Sequence, residues 1–352
     1  MTSANGITSA ILRTLKLLSA LVEAFLTRTT VTGLENIPRE GGPFIFAPNH
    51  ASTYDVVVLL QHIPLPVRPV GPADFPLLFP ANLLVENMGV IRILRGSADR
   101  DSLKKMSAVL KNGEHLTLFP EGGTWEKRLD DVKPGVAYLS YTTGAQIIPV
   151  AIGGTYDVWR RILRLQRPHI AVHFCEPMPP VEITDRKQRA QELRAASLAV
   201  MQAIYDHLSP EERARYDLYA RQSFSATLEA APAELMPEAQ QSDFSVLAEL
   251  VSKPNLFSPL VHNLKLPLAP FQHTDRFFPA AEVLNAVAAL QVTLTETLPE
   301  FLNYRLGDDK AARGLAELDE LYRVAAAAMP QDVFLRFTPQ VTLHEAPLPP
   351  NT

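Results

Sequence analysis

The sequence predicts an α/β fold: a central sheet flanked by helices, preceded by an N-terminal amphipathic helix and followed by a mostly helical C-terminal extension. Three observations predict it. Apolar runs of strand length recur as far as Phe174, with helical stretches between them. The polar residues that could carry chemistry gather at the ends of these runs, where open α/β sheets place ligands. Beyond Ser209 the rhythm changes to Ala-, Glu- and Pro-rich sequence and longer helical stretches, which divides the chain into 1–28, 29–209 and 210–352.

Each element follows from its residues. Ile7 to Thr27 is apolar but interrupted by Arg13, Lys16 and Glu23, so it falls short of the roughly 20 apolar residues a membrane span needs. No small-residue cleavage site of the secretory type follows it. At about 100° per residue the three charges fall within about 80° of one another. Ile11, Leu15, Leu18, Val22, Phe25 and Leu26 form the opposite stripe, about 100° wide. Such a helix either lies in a membrane interface or packs its stripe on the domain. Thr29–Gly33 and Pro43–Ala47 read as strands, the second buried, and a helix over Asp55–Gln61 starts at Ser52. Further strands are expected at Val67–Val70, Ile91–Leu94, Leu116–Phe119, Ile147–Ile152 and Ile170–Phe174, with helices at Asp101–Lys111, Val136–Thr143 and Asp185–Leu208. Phe75–Leu84 is proline-broken and suits a lipid-dipping segment, an acyl-chain groove or plain core. Phe224–Gln241 reads as a linker. Ala280–Tyr304 and Lys310–Met329 read as helices with a break near Gly307-Asp308-Asp309.

The run Asn49-His50-Ala51-Ser52-Thr53-Tyr54-Asp55 places a histidine five residues ahead of a carboxylate, just past a strand. A neutral imidazole removes a proton from a hydroxyl, and a nearby carboxylate fixes its tautomer and stabilises the imidazolium. No dedicated serine or cysteine nucleophile stands close by, so the hydroxyl belongs to a substrate. The same residues fit a helix capping box, with Ser52 as N-cap and Asp55 reaching back, and both readings stand at this point. Phe119-Pro120-Glu121-Gly122-Gly123 is turn-forming sequence after a strand, Arg95 closes the apolar run from Gly89, and Pro149 interrupts Ile147–Ile152.

Taken in order, these runs resemble the four blocks of the glycerolipid acyltransferase family, which includes the lysophosphatidic acid acyltransferases. The blocks are NHxxxxD at Asn49–Asp55, GxIxxxR at Gly89–Arg95, FPEG at Phe119–Gly122 and the xxPV strand at Ile147–Val150. The resemblance runs from about Val31 to Pro180, some two fifths of the chain. It implies that 29–209 is a catalytic domain for phospholipid biosynthesis. A fatty acyl group would pass from acyl-CoA or acyl carrier protein, as co-substrate, to a lysophospholipid hydroxyl, with lysophosphatidic acid as the default acceptor. It makes His50 the base and Asp55 its partner, with Asn49, Ser52, Phe119 and Pro120 in support. Arg95, Glu121, Gly122, Gly123 and Thr124 would hold the acceptor and its phosphate, and Pro149 would serve the acyl-donor side. No cofactor or metal is implied. The enzyme would sit on the cytoplasmic face of a membrane, peripheral or monotopic, with the lipid surface as partner.

Two departures stand out. Where family members read FPEGTR, this chain has an extra glycine, Gly123, and Trp125 in place of the arginine. Lys127 or Arg128 is then the candidate substitute, although neither reproduces a fixed guanidinium fork. The stretch Gly71-Pro72-Ala73-Asp74 lacks the lysine often found there. These changes leave room for another lipid alcohol as acceptor, or for a non-catalytic lipid-binding protein on this fold.

Composition excludes other classes. Residues 1–209 hold 22 Lys and Arg against 19 Asp and Glu, a balance of +3, and residues 210–352 hold 11 against 19, a balance of −8. No basic patch dense enough for nucleic acid occurs. The single cysteine, Cys175, permits no internal disulfide and lies in a buried-strand pattern as an inert core thiol. There is no GxSxG elbow for a serine hydrolase. His50, Asp55 and Glu121 lack the close second histidine a metal centre would use.

Overall fold

A computed structural model of the chain describes residues 20–21, 23–73, 89–96, 99–235 and 243–349. Most of the expected N-terminal helix and all of Phe75–Leu84 lie outside the described residues. Among the described residues, no helix is long and apolar enough to cross a membrane.

Seven strands form the first sheet: β1 (Arg28–Thr32), β2 (Phe44–Pro48), β3 (Val67–Pro72), β4 (Ile91–Ile93), β5 (His115–Thr117), β6 (Gln146–Gly153) and β7 (His169–Phe174). Their order is β1-β7-β6-β2-β5-β3-β4, parallel throughout except for the antiparallel β6–β7 pair. The helices α1 (Tyr54–His62), α2 (Arg100–Lys111), α3 (Gly135–Thr143), α4 (Val158–Leu163) and α5 (Arg189–His207) cover its faces.

The side-chain period of two divides the core. On β2, Phe44 and Phe46 join an apolar cluster with Val58 and Leu59 of α1, while Ile45 and Ala47 join another with Met106 and Leu110 of α2 and Leu139 of α3. On β6, Ile148, Val150 and Ile152 take the first side, Ile147 and Ala151 the second. Burial on both faces is why these two strands are nearly continuous apolar runs, and why the sequence shows them plainly.

Past Ser209 the chain forms α6 (Pro210–Ala220) and then β8 (Gln222–Ala231), α7 (Ser245–Ser252), α8 (Pro254–Ser258), α9 (Ala269–Gln272), β9 (Phe278–Pro279), α10 (Ala280–Val292), α11 (Phe301–Leu306), α12 (Asp308–Ala328) and β10 (Phe334–Leu343). The extension is mostly helical, as expected, and it adds a three-stranded antiparallel sheet ordered β8-β10-β9. The expected linker over Phe224–Gln241 is corrected here. Its first part is a strand paired with β10 over ten positions, from Gln222 against Leu343 to Ala231 against Phe334. Ala226, Leu228 and Ala230 are buried while Thr227 is exposed, a period-two pattern hidden by the small alanines.

Candidate active site

Asn49 leaves β2 tied to β6: its Nδ2 donates to Ile152 O (2.9 Å) and its Oδ1 accepts from Ile152 N (2.7 Å). That pair carries the sheet one residue beyond Pro48 and fixes where His50 begins. The His50 ring stacks on Phe119 at 3.9 Å between centroids, and its Nδ1 lies 3.0 Å from Asp55 Oδ2. An ionised carboxylate only accepts, so the bond assigns the proton to Nδ1 and leaves Nε2 as the basic nitrogen.

Asp55 is fully buried in the first turn of α1. Its Oδ2 also accepts the backbone N–H of Ala51 (2.7 Å) and Ser52 (2.8 Å), and Ser52 Oγ accepts from Tyr54 N (3.3 Å). The capping box and the histidine partner are therefore one oxygen. The local turn that starts the helix is the device that aims the carboxylate at the imidazole.

Glu121, also buried, ties the third block to the first. Its Oε1 accepts the His50 backbone N–H at 2.7 Å and the Tyr216 hydroxyl at 3.0 Å. Its Oε2 lies 3.4 Å from Lys127 Nζ. Lys127 donates as well to the carbonyls of Glu121 and Gly123. Burial pushes its ammonium pKa down, and Glu121 opposes that shift. Burial pushes the Tyr216 phenol well up, reinforced by Glu121, so it stays a protonated donor.

The two glycines after Glu121 are both required. Gly122 is left-handed (φ 75°), and a Cβ there would meet the Tyr304 hydroxyl of α11. A Cβ on Gly123 would overlap the Trp125 ring. The extra glycine and the tryptophan are thus one paired departure from FPEGTR. Trp125 is 6 % exposed and is the first unit's contribution to the buried core of the C-terminal unit. Lys127 Nζ, Arg305 and Arg95 lie 4.2, 4.9 and 5.9 Å from its ring.

The other expected residues fall as follows. Arg95 Nη1 donates to Gly122 O (3.3 Å), which brings the second block to the third. Thr124 lines a cavity beside His50 together with Asn49, Glu121 and Trp125. Pro149 stands inside β6 opposite Ala47 and does not line that cavity. Neither proposed substitute for the missing arginine is free to take it: Lys127 is pinned as described, and Arg128 is held by Asp130 and by the carbonyls of Leu348 and Pro349. Gly122 N–H is spent on Phe119 O, and Gly123 N–H, next along the loop, has no backbone acceptor among the described residues. Cys175 is buried, its thiol is pushed up to about 12 by burial, and its Sγ lies 3.6 Å from His207 Nδ1.

One part of the site was missed in the sequence. Glu212, Arg215, Tyr216 and Tyr219 of α6 all line the cavity, so the boundary at Ser209 cuts through the site. Their spacing of i, i+3, i+4 and i+7 marks one helical face, and Ser209-Pro210 ahead of Glu212 is an N-cap signature. Those signals were present in the sequence.

Residues 28–153, which hold most of the sheet, the His–Asp pair and the FPEG turn, match the protein family described as Acyltransferase. The chloroplastic 1-acyl-sn-glycerol-3-phosphate acyltransferase of Brassica napus is 27% identical over 131 residues, covering 36% of this chain and 38% of that protein. The 1-acyl-sn-glycerol-3-phosphate acyltransferase of Cocos nucifera is 29% identical over 140 residues, covering 38% and 45%. The crystal structure of the 1-acyl-sn-glycerophosphate acyltransferase PlsC of Thermotoga maritima aligns with a TM-score of 0.44 at 20% identity, over 59% of this chain and 86% of that one. Over this segment the chain is similar to the glycerolipid acyltransferases. The match spans under half the length of these two plant relatives.

Proposed function

We propose that the protein transfers a fatty acyl group from a thioester, acyl-CoA or acyl carrier protein, to the free hydroxyl of a lysophospholipid, with lysophosphatidic acid as first acceptor. The observation that carries this is the 3.0 Å His50–Asp55 bond, with His50 lining a cavity that Glu121 and Thr124 also line. His50 Nε2 takes the acceptor hydroxyl proton as the oxygen attacks the thioester carbonyl carbon. The tetrahedral intermediate collapses, the C–S bond breaks, and the imidazolium returns its proton to the leaving thiolate. Asp55 stays ionised and supports the imidazolium. Gly123 N–H is the donor offered to the oxyanion. The enzyme works at a membrane surface, on its cytoplasmic face, without spanning the bilayer.

A second acceptor class, a lipid alcohol without a phosphomonoester, is favoured by one observation: Trp125 occupies the arginine position, and Lys127 and Arg128 are committed elsewhere. The test is transfer from radiolabelled acyl-CoA to a panel of lyso-lipids and monoacylglycerol, wild type against His50→Ala. Product with one acceptor, abolished in the variant, establishes the reaction and names the acceptor. Equal product in both removes His50 as the base.

A further inference from the structure

The surface beside the active site carries a second feature, on α4 and the turn that follows it. Val158 and Ile162 face inward and are buried. On the outward side Trp159 is 48 % exposed, Leu163 83 % and Leu165 79 %, interleaved with the exposed Arg160 and Arg164 and the half-buried Arg161, whose Nη1 lies 3.9 Å from Asp157 Oδ1. Large apolar tips this exposed gain nothing from packing within the chain. The backbone makes the point more sharply: Leu165 (φ 55°) and Arg167 (φ 45°) are left-handed, a conformation bulky side chains rarely adopt and that costs free energy. A glycine would relieve that turn, yet the chain spends it on presenting a leucine to the outside.

The feature continues onto the neighbouring helix end. Arg167 Nη2 donates to Ala24 O (2.7 Å), so the turn abuts the helical residues before β1. There Leu26 of the expected stripe packs against the core cluster, while its neighbour Phe25 does not. Glu23 is turned inward, 2.9 Å from His62 Nε2, while Leu21 and Phe25 are 68 % and 73 % exposed. The patch also adjoins the catalytic loop: Trp159 Nε1 donates to Thr53 Oγ1 (2.9 Å) and its ring meets Tyr54 edge-on at 5.3 Å.

We propose that α4 and its turn form a docking surface for an anionic phospholipid bilayer, with Leu163 and Leu165 inserted and Arg160, Arg161 and Arg164 at the headgroup level. The occupant follows from the charge pattern. Apolar tips alone would suit any greasy partner, but apolar tips ringed by arginines match an apolar interior beneath a layer of negative headgroups. Docking there would place the loop after His50 at the lipid surface, so that a lyso-lipid acceptor need not leave the membrane. This goes beyond the proposed reaction, and its test reads binding rather than turnover.

The experiment is flotation of the full chain with vesicles of phosphatidylcholine, alone or with phosphatidylglycerol added, at low and high salt. Three proteins are compared: wild type, Leu163→Ser/Leu165→Ser, and Arg160→Gln/Arg161→Gln/Arg164→Gln. All the substituted side chains except the half-buried Arg161 are exposed, and unchanged thermal unfolding checks that all three proteins fold. Wild type is expected to float with anionic vesicles and to release in salt. Each arginine should contribute about fivefold, so the triple variant binds on the order of 100-fold more weakly with little remaining salt dependence. The leucine variant should be lost from both vesicle types. Wild-type strength in both variants, or equal wild-type binding to neutral and anionic vesicles, overturns the proposal. So does a leucine variant that turns a dimeric wild type into a monomer, since the patch would then be a contact between copies. An enzyme with no transfer activity that still floats in this pattern would defeat the proposed reaction and leave the docking surface standing.

Discussion

Asp55 holds two jobs on one oxygen, and two substitutions separate them. Asp55→Ala removes the acceptor of His50 Nδ1–H and of the Ala51 and Ser52 N–H groups. An orphaned buried donor costs about 1–3 kcal/mol, so the two backbone groups together predict a loss of roughly 2–6 kcal/mol in unfolding free energy. Asp55→Asn keeps an acceptor oxygen in the same place for those two N–H groups. Its stability cost should stay near the loss of charge assistance, about 1 kcal/mol. It cannot stabilise an imidazolium as a carboxylate does. Activity should fall by about 10²–10⁴ in both variants, the range general-base catalysis supplies.

The assays are urea unfolding and steady-state acyl transfer. The decisive variant is Asp55→Asn: stable and nearly inactive is the expected result. An Asp55→Asn enzyme that keeps activity within about threefold of wild type would refute the catalytic role and leave Asp55 as a helix cap, because a loss on the order of 100-fold or more is required. An Asp55→Ala protein as stable as wild type would refute the cap instead. Adding His50→Ala to Asp55→Asn should lower the rate little further than His50→Ala alone, since the pair acts as a unit.

Three more predictions rest on neighbouring contacts. Tyr216→Phe removes one hydrogen bond to the buried Glu121 carboxylate, a loss of about 1.5–3 kcal/mol, and should cut kcat roughly 10–100-fold with the fold intact by thermal melting. Trp125→Arg, which restores the family residue, should lower unfolding free energy by about 3 kcal/mol or more and give no tighter lysophosphatidic acid KM, because it buries a charge beside Lys127, Arg305 and Arg95. Lys133 is pushed down to about 8 by burial, against 10.5 when unfolded, so the unfolded chain binds the extra proton between those values. Burial of the charged amine therefore costs stability in full below about pH 8, the cost is relieved as pH rises to about 10.5, and Lys133→Met should flatten that part of the stability–pH curve.

What was legible in the sequence was what is local. The buried strands β2 and β6 show as apolar runs because both their faces are covered. The His50–Asp55 pair shows because one turn of chain sets its geometry. What was not legible depends on contacts far along the chain. Glu121 and Tyr216 are 95 residues apart, and nothing within either neighbourhood demands the other. β8 was read as a linker because alanine and glutamate outweighed an alternation of small buried side chains. Trp125 read as a loss of phosphate-binding capacity because its packing partners lie in the C-terminal unit, beyond the reach of the block pattern.

Those partners explain why the third block departs from the FPEGTR pattern. Each residue from Glu121 to Lys127, Thr124 aside, has a partner that fixes its identity. Glu121 holds the His50 backbone and Tyr216. Gly122 makes room for Tyr304, and Gly123 makes room for Trp125. Trp125 enters the core of the C-terminal unit. The buried Glu126 carboxylate accepts Asn255 N–H at 3.0 and 3.2 Å at the start of α8, and Lys127 closes the turn on Glu121 and Gly123. Lys133 donates to Tyr304 O from just beyond it. The loop that walls the catalytic cavity is therefore also the loop the C-terminal unit grips. Cutting the chain after Ser209 would strip Tyr216 from Glu121 and expose Trp125, so the matched segment does not amount to a free-standing catalytic domain. At position 125, where the FPEGTR pattern has an arginine, the tryptophan found here serves the union of the two units.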